Sequence, residues 1–463
     1  MTTTADYITR HNEFIAPSAI NKENKILLLH GTGQGIKVND SWCNTYAIFD
    51  SEVAVNALGF RHPKLMEFRA KYPEFFDFCE ATGRYYAMLD VQLSWKSYPE
   101  LSPAILAERL IKKTFPGKSP KDYMVIMKES GALAVNSAVK ACIKARPTKK
   151  DFISFKGAFH GRVEFARALT YSKPIQQEDY PPSGIGVYRL PFPQNWSDVE
   201  IINEELERIP LNNVNAAIVE IIQGEGGMQC ANPYLLKNLL KHFQQKDIWV
   251  GVDDIQAGSG RTGFWSTWEY LNEMTKDESI HSNFTPNFAI LGKALGLGMP
   301  IGAVVFPKIH LPNGWEGGTF PWFPASVAQA ILFLDIIEDE KLIEKVKENG
   351  EYLKNQLITL SGEIGQAKQI VVAREGEEAP KHSLYQKGVG FMQGLEFKEV
   401  RKGADHETRD KVLVNLAKNG ILTHGAGLNA INPTIRFTPP YITTKEDIDE
   451  MITALKKSIL EAI

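Results

Sequence analysis

Short apolar runs alternate with amphipathic stretches through the middle of the chain. Tyr123–Met127, Asp151–Phe155, Asn215–Ile222, Ile248–Val252, Phe288–Leu291 and Gly302–Phe306 each read as a buried strand. Gly131–Arg146 reads as a helix, with Val135, Ala138 and Val139 on one face. Apolar strands separated by helices predict a mostly parallel sheet covered on both sides, an α/β fold. Ligands of such sheets bind at the carboxyl ends of the strands. From about Phe323 the texture changes. Ala325–Leu360 reads as two long helices, followed by a polar run at Ala373–Pro380. The order then becomes strand, helix, strand, helix. It opens with a strand at Gly388–Phe397 and ends in a helix near Thr444, with Thr444 and Asp447 placed as a capping pair. This predicts a large domain over residues 66–325 and a smaller α+β domain over 326–463, joined by residues 1–65.

Composition narrows the function classes. Hydrophobic residues are 43% and charged residues 23% of 463, which excludes wholesale disorder. Lysine plus arginine is 52 and aspartate plus glutamate is 55, a net charge of −3, so neither nucleic acid nor an anionic membrane is an expected partner. No run approaches about 18 apolar residues, so no membrane span is expected. Cys43, Cys79, Cys142 and Cys230 are scattered without a CxxC pair. That pattern predicts reduced thiols, no structural metal and a cytoplasmic location. The first residues, Met-Thr-Thr-Thr-Ala-Asp-Tyr, lack the basic and apolar regions of a signal peptide.

Three glycine clusters resemble phosphate cradles. Gly31–Gly35 is followed by Ile-Lys-Val rather than by a helix, so it reads as a turn. Gly296–Gly302 is interrupted by Pro300. Gly258–Gly263 fits G-x-G-x-x-G and would suit a nicotinamide-dependent dehydrogenase. However, Asp253–Gln256 separates it from its strand, where a dinucleotide site needs an immediate tight turn.

A second reading joins more of the sequence. Asp253 ends one strand and Lys293 ends another, one βαβ step plus a loop later. Both would point into one crevice. Pyridoxal phosphate needs such a pair: a lysine for its aldehyde and a carboxylate that keeps the ring nitrogen protonated. Gly131 opens a helix after a strand, which suits the cofactor phosphate. Phe159 follows another strand and could stack on a flat ring.

Together these segments resemble the class III, fold type I, pyridoxal-phosphate aminotransferases. The matching stretches are Glu129–Asn136, Gly157–Gly161, Gln223–Gly227, Val252–Gln256, Gly258–Gly263, Leu291–Gly296 and Ile435–Pro440. They run in family order from about Asn56 to the C-terminus. The resemblance implies the fold type I architecture, with a mostly parallel, helix-flanked sheet in the large domain and a smaller α+β domain. It implies that Lys293 takes the aldehyde, Asp253 the ring nitrogen and Gln256 the ring hydroxyl. Gly131 and Ala132 would hold the phosphate, and Phe159 would lie on the ring. Thr319 resembles the threonine that reaches the phosphate of a neighbouring subunit, which implies a homodimer with shared active sites. The chain departs from the family at Ala132, often a serine there. It also has Asp253-Asp-Ile-Gln256 for Asp-Glu-Val-Gln, and Thr319-Phe-Pro-Trp-Phe-Pro324 for Thr-Phe-Gly-Gly-Asn-Pro.

Three charged residues bear on substrates. Arg436 resembles the arginine that grips the α-carboxylate of glutamate or 2-oxoglutarate. Glu225 resembles the glutamate that covers this arginine when an ω-amino substrate enters. Arg162, after Phe159-His160-Gly161, resembles the lysine ε-aminotransferase branch, in which it would hold the donor's own carboxylate. The expected reaction moves the terminal amine of lysine or a similar diamino acid to 2-oxoglutarate, giving glutamate and an aldehyde. Ornithine, 4-aminobutyrate or polyamine aminotransferases, and a racemase or epimerase on the same fold, remain alternatives.

Overall fold

A strand that is apolar at every position needs cover on both faces, and the central sheet is built that way. The computed structural model describes residues 13, 29–40, 43–73, 99–277, 283–367, 383–399 and 403–463. The polar run at 373–380 and Cys79 lie outside them. Seven strands form the central sheet: β1 (Tyr123–Lys128), β2 (Asp151–Phe155), β3 (Gly186–Leu190), β4 (Val214–Val219), β5 (Trp249–Asp253), β6 (Phe288–Gly292) and β7 (Gly302–Pro307). Their spatial order is β1-β7-β6-β5-β4-β2-β3. All neighbours pair in parallel except β7, which runs antiparallel to both β6 and β1.

Alternate residues feed different cores. Phe152, Ala216, Ile218, Ile290 and Val304 pack under the helix Gly131–Ala145, against its Ala134, Val135, Ala138 and Val139. Ile153, Phe155, Ala217, Val219, Val250 and Val252 face the other way, towards Leu236, Leu240 and Phe243 of the helix Pro233–Gln245. Each fully buried aliphatic or aromatic side chain contributes about 1.5–3 kcal/mol, so this double cover fixes which way each strand end points.

Four details differ from the pattern reading. The strand expected at Asn215–Ile222 ends at Val219. Ile222–Gln223 instead pairs with Gln229–Cys230 in a small separate ladder. The strand expected at Gly388–Phe397 is a hairpin of Ser383–Val389 and Met392–Glu399. Gly388 (φ +90) and Gly390 (φ +58) take left-handed backbone that reverses the chain there. The first glycine cluster is not a turn throughout, because Leu29–Gln34 is a strand. A Cβ on Gly33 would lie 2.5 Å from the Phe60 ring, so glycine serves close packing at that point. Finally, the half-exposed edge strand β3 had no signal in the apolar pattern.

Beyond the sheet, the two long helices are Pro324–Asp339 and Leu342–Ala367. The last helix, Lys445–Ala462, is capped by Thr444, whose side chain accepts from Asp447 N while the Asp447 carboxylate returns the bond. Ile421–Leu422 pairs in parallel with Thr45–Ile48, so N-terminal and C-terminal segments share one small sheet.

Candidate active site

Strand ends converge on one cavity of about 340 Å³. Gly131, Ala132, Phe159, Arg162, Asp253, Gln256 and Lys293 all line it. β1 leads into the helix that opens with Gly131 and Ala132. Ser130 caps that helix, its hydroxyl accepting from Leu133 N at 3.3 Å. The first amides of a helix have no partner within it and attract anions. β2 leads to Phe159, β5 ends on Asp253, and β6 runs into Lys293.

The pattern reading missed two groups that complete this end. His160 Nδ1 lies 2.7 Å from Asp253 Oδ2, with both side chains buried. Asp253 Oδ1 also accepts from Ile255 N at 3.1 Å. Glu220, just past the end of β4, accepts from Phe159 N at 2.8 Å and Gly224 N at 3.2 Å. Those two bonds turn the chain away from the sheet after Val219. Burial disfavours a charged His160 ring, but the Asp253 hydrogen bond and the Asp253 and Glu220 charges raise it above the usual imidazole range. Burial, with help from Asp253, pushes Glu220 up to about 7 against His160 and the two backbone bonds. Burial also lowers Lys293 to about 8, opposed by Glu225 and aided by Arg436. A lysine with that value is a usable nucleophile near neutrality.

Glu225 and Arg436 line a second cavity. Arg436 sits on the strand Thr434–Phe437, between Met392–Glu399 and His424–Ala426. It is buried, and its Nη1 donates to Glu225 Oε1 at 2.8 Å. Glu225 rides on a turn bonded to Gly427 and Asn432. Gly427 N donates to the Glu225 carbonyl at 3.1 Å, and the Asn432 amide donates to Gly226 O at 2.6 Å. Burial would raise the Glu225 carboxyl, yet Arg436, Lys173 and Lys293 hold it at about 2. Arg162 makes no ion pair or hydrogen bond among the described residues.

Thr319 is not brought into this cavity and lies exposed. Its loop is anchored nearby, with Glu316 bridging Lys128 and Lys140. Trp322, at a family glycine, takes φ 61°, which is strained for a bulky residue. The glycine cluster Gly258–Gly263 is buried, and the following helix starts only at Thr267. Arg261 inside it donates to the Pro439 carbonyl at 2.5 Å and stacks on Tyr441. The cluster thus bonds to the segment Pro439–Tyr441, and no helix N-terminus stands behind it to receive a dinucleotide.

The donor set suits an aldehyde-bearing pyridine phosphate. It offers helix amides for an anion, a buried carboxylate for a ring nitrogen, an aromatic wall and an amine of lowered basicity. The Gln256 amide nitrogen is buried without a partner, which leaves one donor for a ligand. A Cβ on Gly224 would lie 1.4 Å from Gln256 Oε1, so glycine there makes room for that side chain.

Comparison with known proteins agrees. Residues 19–459 match the family model described as aminotransferase class-III. An acetylornithine aminotransferase of Caldanaerobacter subterraneus is 28% identical, covering 95% of this chain and 96% of that one. An ornithine aminotransferase of Staphylococcus carnosus is also 28% identical, covering 99% of each. A solved lysine aminotransferase from M. tuberculosis superposes with a TM-score of 0.77 at 20% identity, covering all of both chains. With the family pattern matched over nearly its whole length and the cavity furnished for the cofactor, the chain belongs to the class III aminotransferases, transferases of nitrogenous groups that depend on pyridoxal phosphate.

Proposed function

We propose that the enzyme transfers the terminal amine of lysine or a similar diamino acid to 2-oxoglutarate, giving glutamate and an aldehyde. One observation carries this reading. Arg162 stands unpaired on the wall of the cavity, while Arg436 is covered by Glu225. An amino donor with its carboxylate on Arg162 presents its far amine to Lys293 and meets a neutralised Arg436. 2-Oxoglutarate displaces Glu225 and takes Arg436 in a bidentate grip.

When bound, pyridoxal phosphate supplies an aldehyde that joins amines and a protonated ring that draws electrons from the adjacent C–H bond. The residues do the rest. Gly131 and Ala132 amides would hold the phosphate, and Phe159 would lie on the ring. Asp253, oriented by His160 and Ile255 N, would face the ring nitrogen. Gln256 would donate to the ring hydroxyl. Lys293 would hold the aldehyde, and its amine would serve as the proton carrier. Thr319 reaches the phosphate of the partner in a homodimer with shared active sites, in keeping with its exposure here.

The name of one relative points to a second donor class, acetylornithine, whose α-amine is blocked. A donor panel with 2-oxoglutarate, measuring glutamate formed, decides between them. Higher kcat/KM for lysine or ornithine than for acetylornithine and 4-aminobutyrate supports the first reading. Preference for acetylornithine would overturn it.

A further inference from the structure

The switch glutamate has two cationic neighbours. Glu225 Oε1 accepts from Arg436, while Lys173 Nζ lies 3.6 Å from Glu225 Oε2. Glu225, Arg436 and Lys173 line a second cavity of about 590 Å³. The other basic groups on its wall are committed. Arg409 is held by Asp410, Asn429 and the Ala426 carbonyl. His424 pairs with Asp50.

The backbone under Lys173 is fixed. Lys173 N donates to Gln176 Oε1 at 3.0 Å, and the Ser172 hydroxyl donates to the same oxygen at 2.7 Å. Tyr171 N donates to Ala158 O at 2.7 Å, which ties the segment to the loop carrying Phe159. The lysine side chain itself is 39% exposed and free to follow a moving carboxylate.

We infer that Lys173 is a positioning residue that receives Glu225 when an acceptor carboxylate takes Arg436. This rests on the switch described above. With Arg436 covered, Glu225 is held by the arginine at 2.8 Å and only more distantly by Lys173 at 3.6 Å. With Arg436 handed to the acceptor, Glu225 remains charged in a largely enclosed place, where an unpaired charge is costly. Lys173 then becomes its counter-ion. Removing it destabilises the acceptor-bound arrangement more than the donor-bound one.

The test uses the holoenzyme and glutarate, a dicarboxylate that occupies the acceptor position without reacting. Calorimetry gives its affinity, and kinetics give the KM of each substrate. Lys173→Met should weaken glutarate about two- to fivefold, the range for a partly exposed charge pair. Acceptor KM should rise to match, donor KM should change by less than about twofold, and Lys173→Arg should restore both. In a Glu225→Gln background, Lys173→Met should have no further effect. Equal weakening in both backgrounds would place Lys173 on the acceptor itself and overturn the inference, as would unchanged glutarate binding in the single variant. Glu225→Gln alone should raise the donor KM. If it leaves both half-reactions unchanged, the switch itself fails and takes this inference with it.

Discussion

Around Asp253 the charged groups lie at or just past strand ends of one sheet; around Arg436 they come from a turn, a loop and the strand Thr434–Phe437. The first set is closed. Asp253, His160 and Glu220 are buried and bonded to one another or to backbone. The second set is a chain of charges, Arg436, Glu225 and Lys173, with one exposed member. Hydrogen bonds like those of the first set hold a side chain in one orientation. The proposed switch instead needs a partner that Glu225 can leave. The two sites thus differ in how firmly their charged groups are held.

Breaking the fixed end should have the largest effects. Lys293→Ala should abolish turnover and let the cofactor dialyse away, as followed by absorbance of the retained protein. Asp253→Asn should keep cofactor bound but lose about a hundredfold or more in kcat, because the ring nitrogen no longer faces an anion. Near-normal turnover by either variant would remove the corresponding assignment.

Breaking the adjustable end should divide the two half-reactions. Loss of a charge-assisted carboxylate contact costs about 1.5–3 kcal/mol, or roughly 10- to 150-fold. Arg162→Ala should raise donor KM by that factor and leave acceptor KM nearly unchanged; Arg436→Ala should do the reverse. Unaltered donor kinetics in Arg162→Ala would return the donor question to the generic ω-amine class.

A smaller effect sharpens the link between the ends. Burial lowers Lys293 to about 8, so its amine is mostly protonated below that pH and mostly neutral above it. Only the neutral amine attacks an aldehyde. The rate at which apoenzyme takes up pyridoxal phosphate should therefore rise about tenfold from pH 7 to pH 9 and level off above. A rise centred near the ordinary lysine value would mean that burial does not tune this group.

The legible parts of the chain were those where one residue's surroundings depend on its neighbours in sequence. β5 and β6 were visible because every position but Trp249 is buried, and Asp253 and Lys293 stood out as polar residues ending such runs. The Thr444 cap was visible because its partner is three residues away. β3 was not, because Tyr188 and Arg189 keep a half-exposed edge. His160 and Glu220 were passed over for a different reason. Their importance follows from β2, β4 and β5 lying side by side, and spatial order leaves no mark on hydrophobic periodicity. Lys173 is further removed still, since its partner Glu225 depends on a turn bonded to Asn432.

The small sheet that unites the two ends of the chain sets a timetable for synthesis. Thr438 N donates to Phe49 O at 2.7 Å, and the Thr438 hydroxyl meets the Asp50 carbonyl across 388 residues of sequence. At about 5–20 residues per second, a ribosome needs roughly 20–80 s to deliver the second partner after the first has emerged. During that interval the strand Thr45–Ile48 has no Ile421–Leu422 to pair with, and an open strand edge invites pairing with other chains. The N-terminal strands therefore keep an open edge throughout that interval, and a chaperone that shields them until Ile421–Leu422 emerges should raise yield.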